Sequence, residues 1–266
     1  MLWQRIATAA VLVGLLAVVL LWLPGGLALA ALAALVLAGA WEWAAFAGLA
    51  RVPGRLAYTA ALAAIMAGLW VLGAGAGLEP LLWIVLAWWV VAFLWIAFAP
   101  GRGHPLLAAL AGALVLAPLW LGLARLYLSS DTGHELVVMV LLLAWAADVG
   151  AYFAGRRFGR RKLAPRVSPN KTWEGFLGGL AAAGVVALAG QAWFGLPPAA
   201  FLPLCMAAVL ASVVGDLTES LFKRQAGLKD SGHLLPGHGG VLDRIDSLTA
   251  AVPVFTLGLI WLGVVR

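Results

Sequence analysis

Glu135-Leu-Val-Val-Met-Val-Leu-Leu-Leu-Ala-Trp-Ala-Ala-Asp148-Val-Gly-Ala-Tyr-Phe-Ala-Gly155, followed at once by Arg156-Arg157, decides how this chain is read. The run is about as long as a helix needs to cross ~30 Å of hydrocarbon. It ends on cations and carries one acid well inside an otherwise apolar stretch. Eight further stretches of similar character can be drawn around it. Together the nine run roughly 6–23, 27–50, 56–77, 80–99, 105–128, 135–155, 174–195, 199–222 and 245–265. The separators are short and hold breakers or charge, as in Pro24-Gly25-Gly26, Arg51 to Arg55, Glu79-Pro80 and Pro100 to Pro105.

Composition agrees. Of 266 residues, 64% are hydrophobic and 11% charged, against about 25% charged in a soluble domain. That excludes a soluble globular enzyme, and it excludes disorder, which needs low hydrophobicity and high charge. The single Cys205 excludes a disulfide framework and a cysteine-based zinc site. A membrane barrel would show alternating segments of about ten residues, which do not occur. Tryptophans near span ends (Trp22, Trp41, Trp43, Trp83, Trp173, Trp193, Trp261) suit an interfacial belt. Arg5, the first apolar run and Ala28-Leu29-Ala30 imitate a signal peptide, but more apolar sequence follows, so the run is expected to be an uncleaved first helix. The fold expected is therefore all-α and polytopic, with about nine transmembrane helices.

Charge orients it. With the N-terminus and the even-numbered loops on one side, that side holds 15 of the 17 Lys and Arg, all but Arg125 and Arg266. By the positive-inside rule it is cytoplasmic. Residues 1–133 carry three of the eleven acids, Glu42, Glu79 and Asp131, and read as a scaffold of about five helices. Residues 134–266, with four helices and two long polar loops, read as the catalytic region.

The acids of that second region come to one level. Asp148 and Asp216 each lie six or seven residues before the cytoplasmic end of their spans, about 10 Å deep at 1.5 Å per residue. Asp243 and Asp246, three apart at the start of the last span, are expected to share a helix face. An isolated acid in a membrane costs roughly 2.5–3.5 kcal/mol and usually marks a functional site. Several together would repel unless a cation joins them, and an oxygen-rich set suits magnesium. Plainer roles exist for each: Asp243 as an N-cap, Asp148 paired with Arg156 or Arg157, and Glu219 paired with Lys223 at i,i+4. Glu42, alone in its span, receives no role.

The first polar loop, Gly155 to Thr172, holds Arg156, Arg157, Arg160, Arg161, Lys162, Arg166 and Lys171 without an acid. Its arginines serve topology and contact with anionic lipid. Its end, Ser168-Pro-Asn170-Lys171-Thr-Trp-Glu174, enters the next helix, whose free N–H groups attract phosphate. The second loop, Ser220 to Asp246, offers Lys223-Arg224, Lys229-Asp230, Gly237-His238-Gly239-Gly240 and Asp243-Arg244-Ile-Asp246. Glycines around His238 allow positive φ and an anion nest. Basic side chains, a glycine turn, a helix start and carboxylates at one interface match a metal–polyphosphate complex, and no P-loop is present. Cys205 reads as packing, Ser220 as a nucleophile candidate without a partner, and His104, His134 and His233 as loop residues. Nothing suggests nucleic-acid binding.

The 27 residues from Ser220 to Asp246 resemble the signature of the phosphatidate cytidylyltransferases, the CDP-diacylglycerol synthases, and fill its fixed positions. Asp148-Val-Gly-Ala-Tyr-Phe-Ala-Gly-Arg156 and Ser168-Pro-Asn-Lys-Thr-Trp-Glu-Gly175 also resemble family segments; the first 133 residues match only in hydropathy and span number. The resemblance implies a bacterial inner-membrane enzyme of phospholipid synthesis, dimeric, using magnesium, CTP and phosphatidic acid. Magnesium is then expected at Asp216 and Asp243, with Asp246 and Asp148 next, and a second cation is conceivable. Lys223, Arg224, Lys229 and Asp230 are expected at the reacting phosphates, with Lys171 beside them. Ser168 and Asn170 would position the nucleotide; His238 with Gly239 and Gly240 would hold the leaving pyrophosphate, and Arg244 is expected among the cofactor-binding residues. A CTP-dependent lipid kinase and, further off, an ion-coupled transporter are the competing readings.

Overall fold

The computed structural model describes residues 2–101, 103–235, 237 and 239–265. His238, with Arg102 and Arg266 of the charge argument, lies outside the described residues. The elements are α1 (Leu2–Leu21), α2 (Gly25–Trp43), α3 (Val52–Ala76), α4 (Glu79–Phe98), α5 (Pro105–Tyr127), α6 (Gly133–Phe158), β1 (Lys162–Ala164), β2 (Ser168–Thr172), α7 (Trp173–Phe194), α8 (Pro198–Gln225), α9 (Leu242–Ile245) and α10 (Leu248–Trp261). Among the described residues, eight helical stretches are long and apolar enough to cross a membrane, α9 and α10 counting as one, and α1 adds a shorter apolar stretch, Ala10–Leu21. Helix is the form such sequences must take in lipid, because it satisfies every backbone N–H and C=O within the segment. The protein is a multi-pass helical membrane protein.

One element departs from an all-α chain. In the first polar loop β1 and β2 pair antiparallel, Lys162 opposite Thr172 and Ala164 opposite Ser168. Pro169 therefore sits in a short strand rather than in a helix start, and Thr172 is the cap: its Oγ1 accepts from the Gly175 N–H at 3.1 Å. Glu174, one residue into α7, accepts from the N–H groups of Arg160 and Arg161 and so closes the base of the hairpin.

The chain forms two compact units, each built from three separated segments. Unit 1 comprises Met1–Leu78, Arg102–His134 and Phe222–Ile245. In it α2 packs on α3, α5 and α9. Trp43 donates through Nε1 to the Ala108 carbonyl at 2.7 Å, and Tyr58 donates to the Ala109 carbonyl at 2.9 Å. These tie α2 and α3 to the first turns of α5 with the interhelical hydrogen bonds that membrane interiors favour. α5 is the most buried long helix of the unit, with Val115, Leu116, Leu119 and Leu121 enclosed.

Unit 2 comprises Glu79–Gly101, Glu135–Leu221 and Asp246–Arg266. Here α6 and α7 meet along a seam of small residues: a Cβ at Gly150 or Gly179 would run into the backbone carbonyl of Gly178 or Ala147 on the facing helix. Such close approach substitutes backbone contact for the hydrophobic drive that lipid does not provide. α4 packs on α10, where Trp261 donates to Glu79 and stacks at 5.0 Å on Trp83. Trp193 likewise donates to Glu135 at 2.7 Å. Val167 beneath the hairpin packs with Leu217 and Leu221 of α8 and with Trp95 and Ile96 of α4.

Candidate active site

Unit 2 encloses a cavity of about 640 Å³. Its walls come from α6, β1, β2, α7 and α8, and the seam between α6 and α7 fixes two of them. Asp148, Ser168, Asn170, Lys171 and Asp216 line it together, which gathers residues 68 positions apart in the chain. An apolar stretch of wall comes from Phe176, Leu180, Val209 and Val213. Lys171 projects from β2 to place Nζ 2.5 Å from Asp216 Oδ2, and both side chains keep about a quarter of their surface, 27% and 23%. Ser220 Oγ lies 3.5 Å from Asp216 Oδ1. Asp246 stands within electrostatic range of Asp216, Glu219 and Asp148. Glu219 is buried at 2% exposure, whereas Asp148 is exposed.

In unit 1 the second loop organises around Asp243. Lys223 Nζ lies 2.6 Å from Asp243 Oδ1, with 12% of each side chain exposed. Asp243 Oδ2 accepts from the N–H groups of Gly240 at 2.9 Å and Ser231 at 3.2 Å. The glycine turn does take the expected conformation, with positive φ at Gly237 and Gly239. Two N–H groups from opposite ends of the loop converge on the Asp243 carboxylate, and the nest expected around His238 lies outside the described residues. Lys229, Asp230 and Arg244 are exposed, and Arg224 donates to the Leu228 carbonyl at 3.4 Å. Cys205 is buried, in keeping with a packing role.

The last span breaks where the spacing predicted one helix face. α9 ends at Ile245, and Asp246 and Ser247 form a turn before α10. Asp243 therefore belongs to α9, while Asp246 Oδ1 accepts from the Ser247 N–H at 2.7 Å at the head of α10. Asp243 is not the N-cap of the span; it lies inside α9 and reaches back to Gly240.

Magnesium can be tested against these donors. Among the described residues no three His, Cys, Asp or Glu side chains converge as a metal-ligand set. Magnesium does not require one: it commonly takes one or two carboxylates and completes its shell with water and substrate phosphate. Asp216 and Asp246, two hard-oxygen acids in electrostatic range inside a membrane span, fit that requirement. Asp243 fits less well, because three donors already occupy its two oxygens.

Four residues received no site role from the sequence. Tyr152 and Thr172 line the cavity, and Arg156 lines it while donating to the Tyr152 hydroxyl at 2.9 Å. Tyr152 lies four residues after Asp148, a spacing that places it on the same helix side. Glu42, 0% exposed, accepts from Ser231 and from the Leu242 N–H. Its signal was its solitude in an apolar span.

The chain matches the model of the cytidylyltransferase family over residues 3–261. It is 46% identical to a phosphatidate cytidylyltransferase of Pseudomonas aeruginosa across 98% of this chain and 97% of that one. It is 43% identical to one of Haemophilus influenzae across 96% and 98%. A third relative of the same name, from Brucella suis, is 44% identical across 59% of this chain and 57% of its own.

Proposed function

The chain belongs to the cytidylyltransferase family and is a nucleotidyltransferase, and from that premise we propose that it transfers the CMP unit of CTP to phosphatidic acid. A phosphatidate oxygen attacks the α-phosphorus of CTP, the bond to the β-phosphate breaks, pyrophosphate leaves, and CDP-diacylglycerol forms. The observation that carries the reading is the 640 Å³ cavity, which joins a lysine, two aspartates, Ser168 and Asn170 to an apolar wall. A lipid with an anionic head needs both surfaces at once.

No side-chain nucleophile is required. A phosphomonoester has its second pKa near 6, so the acceptor is already an anion near pH 7. The protein's work is positioning and charge compensation. Lys171 meets the phosphates, Ser168 and Asn170 orient the nucleotide, and Phe176, Leu180, Val209 and Val213 receive the start of an acyl chain. Lys223, Arg224 and Lys229 draw in the polyphosphate, and Gly239 gives the second loop the turn that brings its basic residues and Asp243 together. Asp216 and Asp246 would hold magnesium, with Asp148 nearby, and a bound ion would supply neutralisation of the triphosphate charge. Lys171, released from Asp216, presents its ammonium to a phosphate.

The same reading has α1 as a ninth crossing, the polar loops on the cytoplasmic side of a bacterial inner membrane, a homodimer, and a place in phospholipid synthesis. The 15 cations on one face support the orientation. Purified protein given phosphatidic acid, magnesium and CTP labelled in its α-phosphate tests the reaction. Label in the lipid with stoichiometric pyrophosphate is the expected result; label recovered in CDP with a phosphorylated alcohol would replace it with a lipid kinase.

A further inference from the structure

Glu42 stands on α2, in the half of the chain that otherwise supplies scaffold, and is wholly buried. Oε2 accepts two hydrogen bonds, from Ser231 Oγ at 3.1 Å and from the Leu242 N–H at 2.8 Å. The second comes from the first residue of α9, a helix so short that it depends on outside acceptors for its leading N–H groups. Ser231 turns its own N–H onto Asp243 Oδ2, and Asp243 Oδ1 holds Lys223. A continuous line of hydrogen bonds thus runs from α2 through Ser231 and Asp243 to Lys223.

The surroundings are shaped for this carboxyl. Gly232 and Gly240 pass so close to it that a Cβ on either would overlap its oxygens. One turn back on the same face, Gly39 leaves room for the Leu242 and Ile245 side chains against α2. As a device for stability the arrangement is poor: Glu42 Oε1 is buried and has no hydrogen-bond partner among the described residues, a desolvation cost without return. As a template for a loop it is good, because one rigid helix fixes Ser231, the start of α9 and, through them, the direction of Asp243.

We infer that Glu42 is a positioning residue for the transfer reaction, orienting the Asp243–Lys223 pair through Ser231 and Leu242. This rests on the cytidylyltransferase reading for its kinetic consequence but not for its structural one. Without Glu42 the loop from Lys229 to Ile245 loosens, and Lys223 meets the triphosphate in too many orientations.

The full chain in lipid nanodiscs is measured two ways: exchange of backbone amides in residues 229–245, and steady-state kinetics with CTP and phosphatidate. For Glu42→Leu the expected results are exchange at least about 10-fold faster in that segment alone, and kcat lowered about 10–100-fold with the phosphatidate KM unchanged, the range typical of residues that orient others. Glu42→Gln, which keeps an acceptor oxygen, returns both to within about 3-fold. Ser231→Ala, should Glu42→Leu not assemble, gives the same pattern at about 3–10-fold, the worth of one ordinary hydrogen bond. Tyr58→Phe, which removes only the bond to Ala109, lowers thermal stability and leaves kcat unchanged. A normal kcat in both Glu42→Leu and Ser231→Ala, or a loss in Tyr58→Phe equal to theirs at equal stability, overturns the inference. If the wild-type chain releases no pyrophosphate, the functional reading fails separately, and exchange alone decides: loosened amides support the positioning, unchanged amides end it.

Discussion

Two lysine–aspartate pairs, one in each unit, look alike in the sequence and differ in their surroundings. Lys223–Asp243 is nearly enclosed, with 12% of each side chain exposed, and its carboxylate also accepts two backbone N–H groups. Lys171–Asp216 keeps 27% and 23% of its surface and faces a cavity. A pair saturated with hydrogen bonds fixes the loop around it and the direction from which its lysine meets a phosphate. A pair at a cavity wall, made of two groups that can each exchange their partner for a ligand, is ready to bind one. Enclosure and spare coordination, rather than the identity of the residues, divide the two roles.

Substitutions can break or sharpen this contrast. Asp216→Asn should cost turnover most, about 10²–10³-fold by the scale of lost charge stabilisation, with little change in thermal stability, since a partly exposed pair contributes under about 1 kcal/mol. Asp243→Asn should also lose turnover but additionally lower stability, by up to ~3–5 kcal/mol, because it removes one charge of a nearly buried pair. Equal melting temperatures for the two variants would erase the distinction. Chelation of divalent cations should stop wild-type turnover and be reversed by magnesium; activity that persists in chelator removes the metal from Asp216 and Asp246. Lys171→Gln should lower kcat/KM about 10–100-fold, the worth of one hydrogen bond to a charged group, and an effect on CTP but not on phosphatidate would assign the cavity to the nucleotide. Arg160→Ala should stay within about 2-fold, as for surface positions generally, its backbone N–H rather than its side chain being what Glu174 holds.

Much was legible in one dimension because a membrane leaves few choices. Twenty apolar residues must be helical in lipid, so the eight long stretches follow from composition and breakers. Acids there are costly, so Asp148, Asp216, Asp243 and Asp246 stood out against an apolar background. Ser168, Asn170 and Lys171 were found from their place before α7, although the strand that presents them was not. Three polar residues interrupted by Pro169 carry no period, and β2 is defined by its pairing with β1.

Glu42 marks the other limit. Its burial cost was visible, but its partners Ser231 and Leu242 lie 189 and 200 residues away. The sequence by itself determined that the chain is a membrane-embedded set of helices, which residues in it are too costly to be incidental, and which family the loop between Ser220 and Asp246 resembles. Only the tertiary structure decided that Lys171 pairs with Asp216, that Asp243 accepts from Gly240 and Ser231, and that the last span breaks at Asp246. Partition into lipid is a property of each residue summed along a segment. A hydrogen bond between distant residues depends on helix packing that brings their atoms within 3 Å or so, and linear order carries no record of that distance.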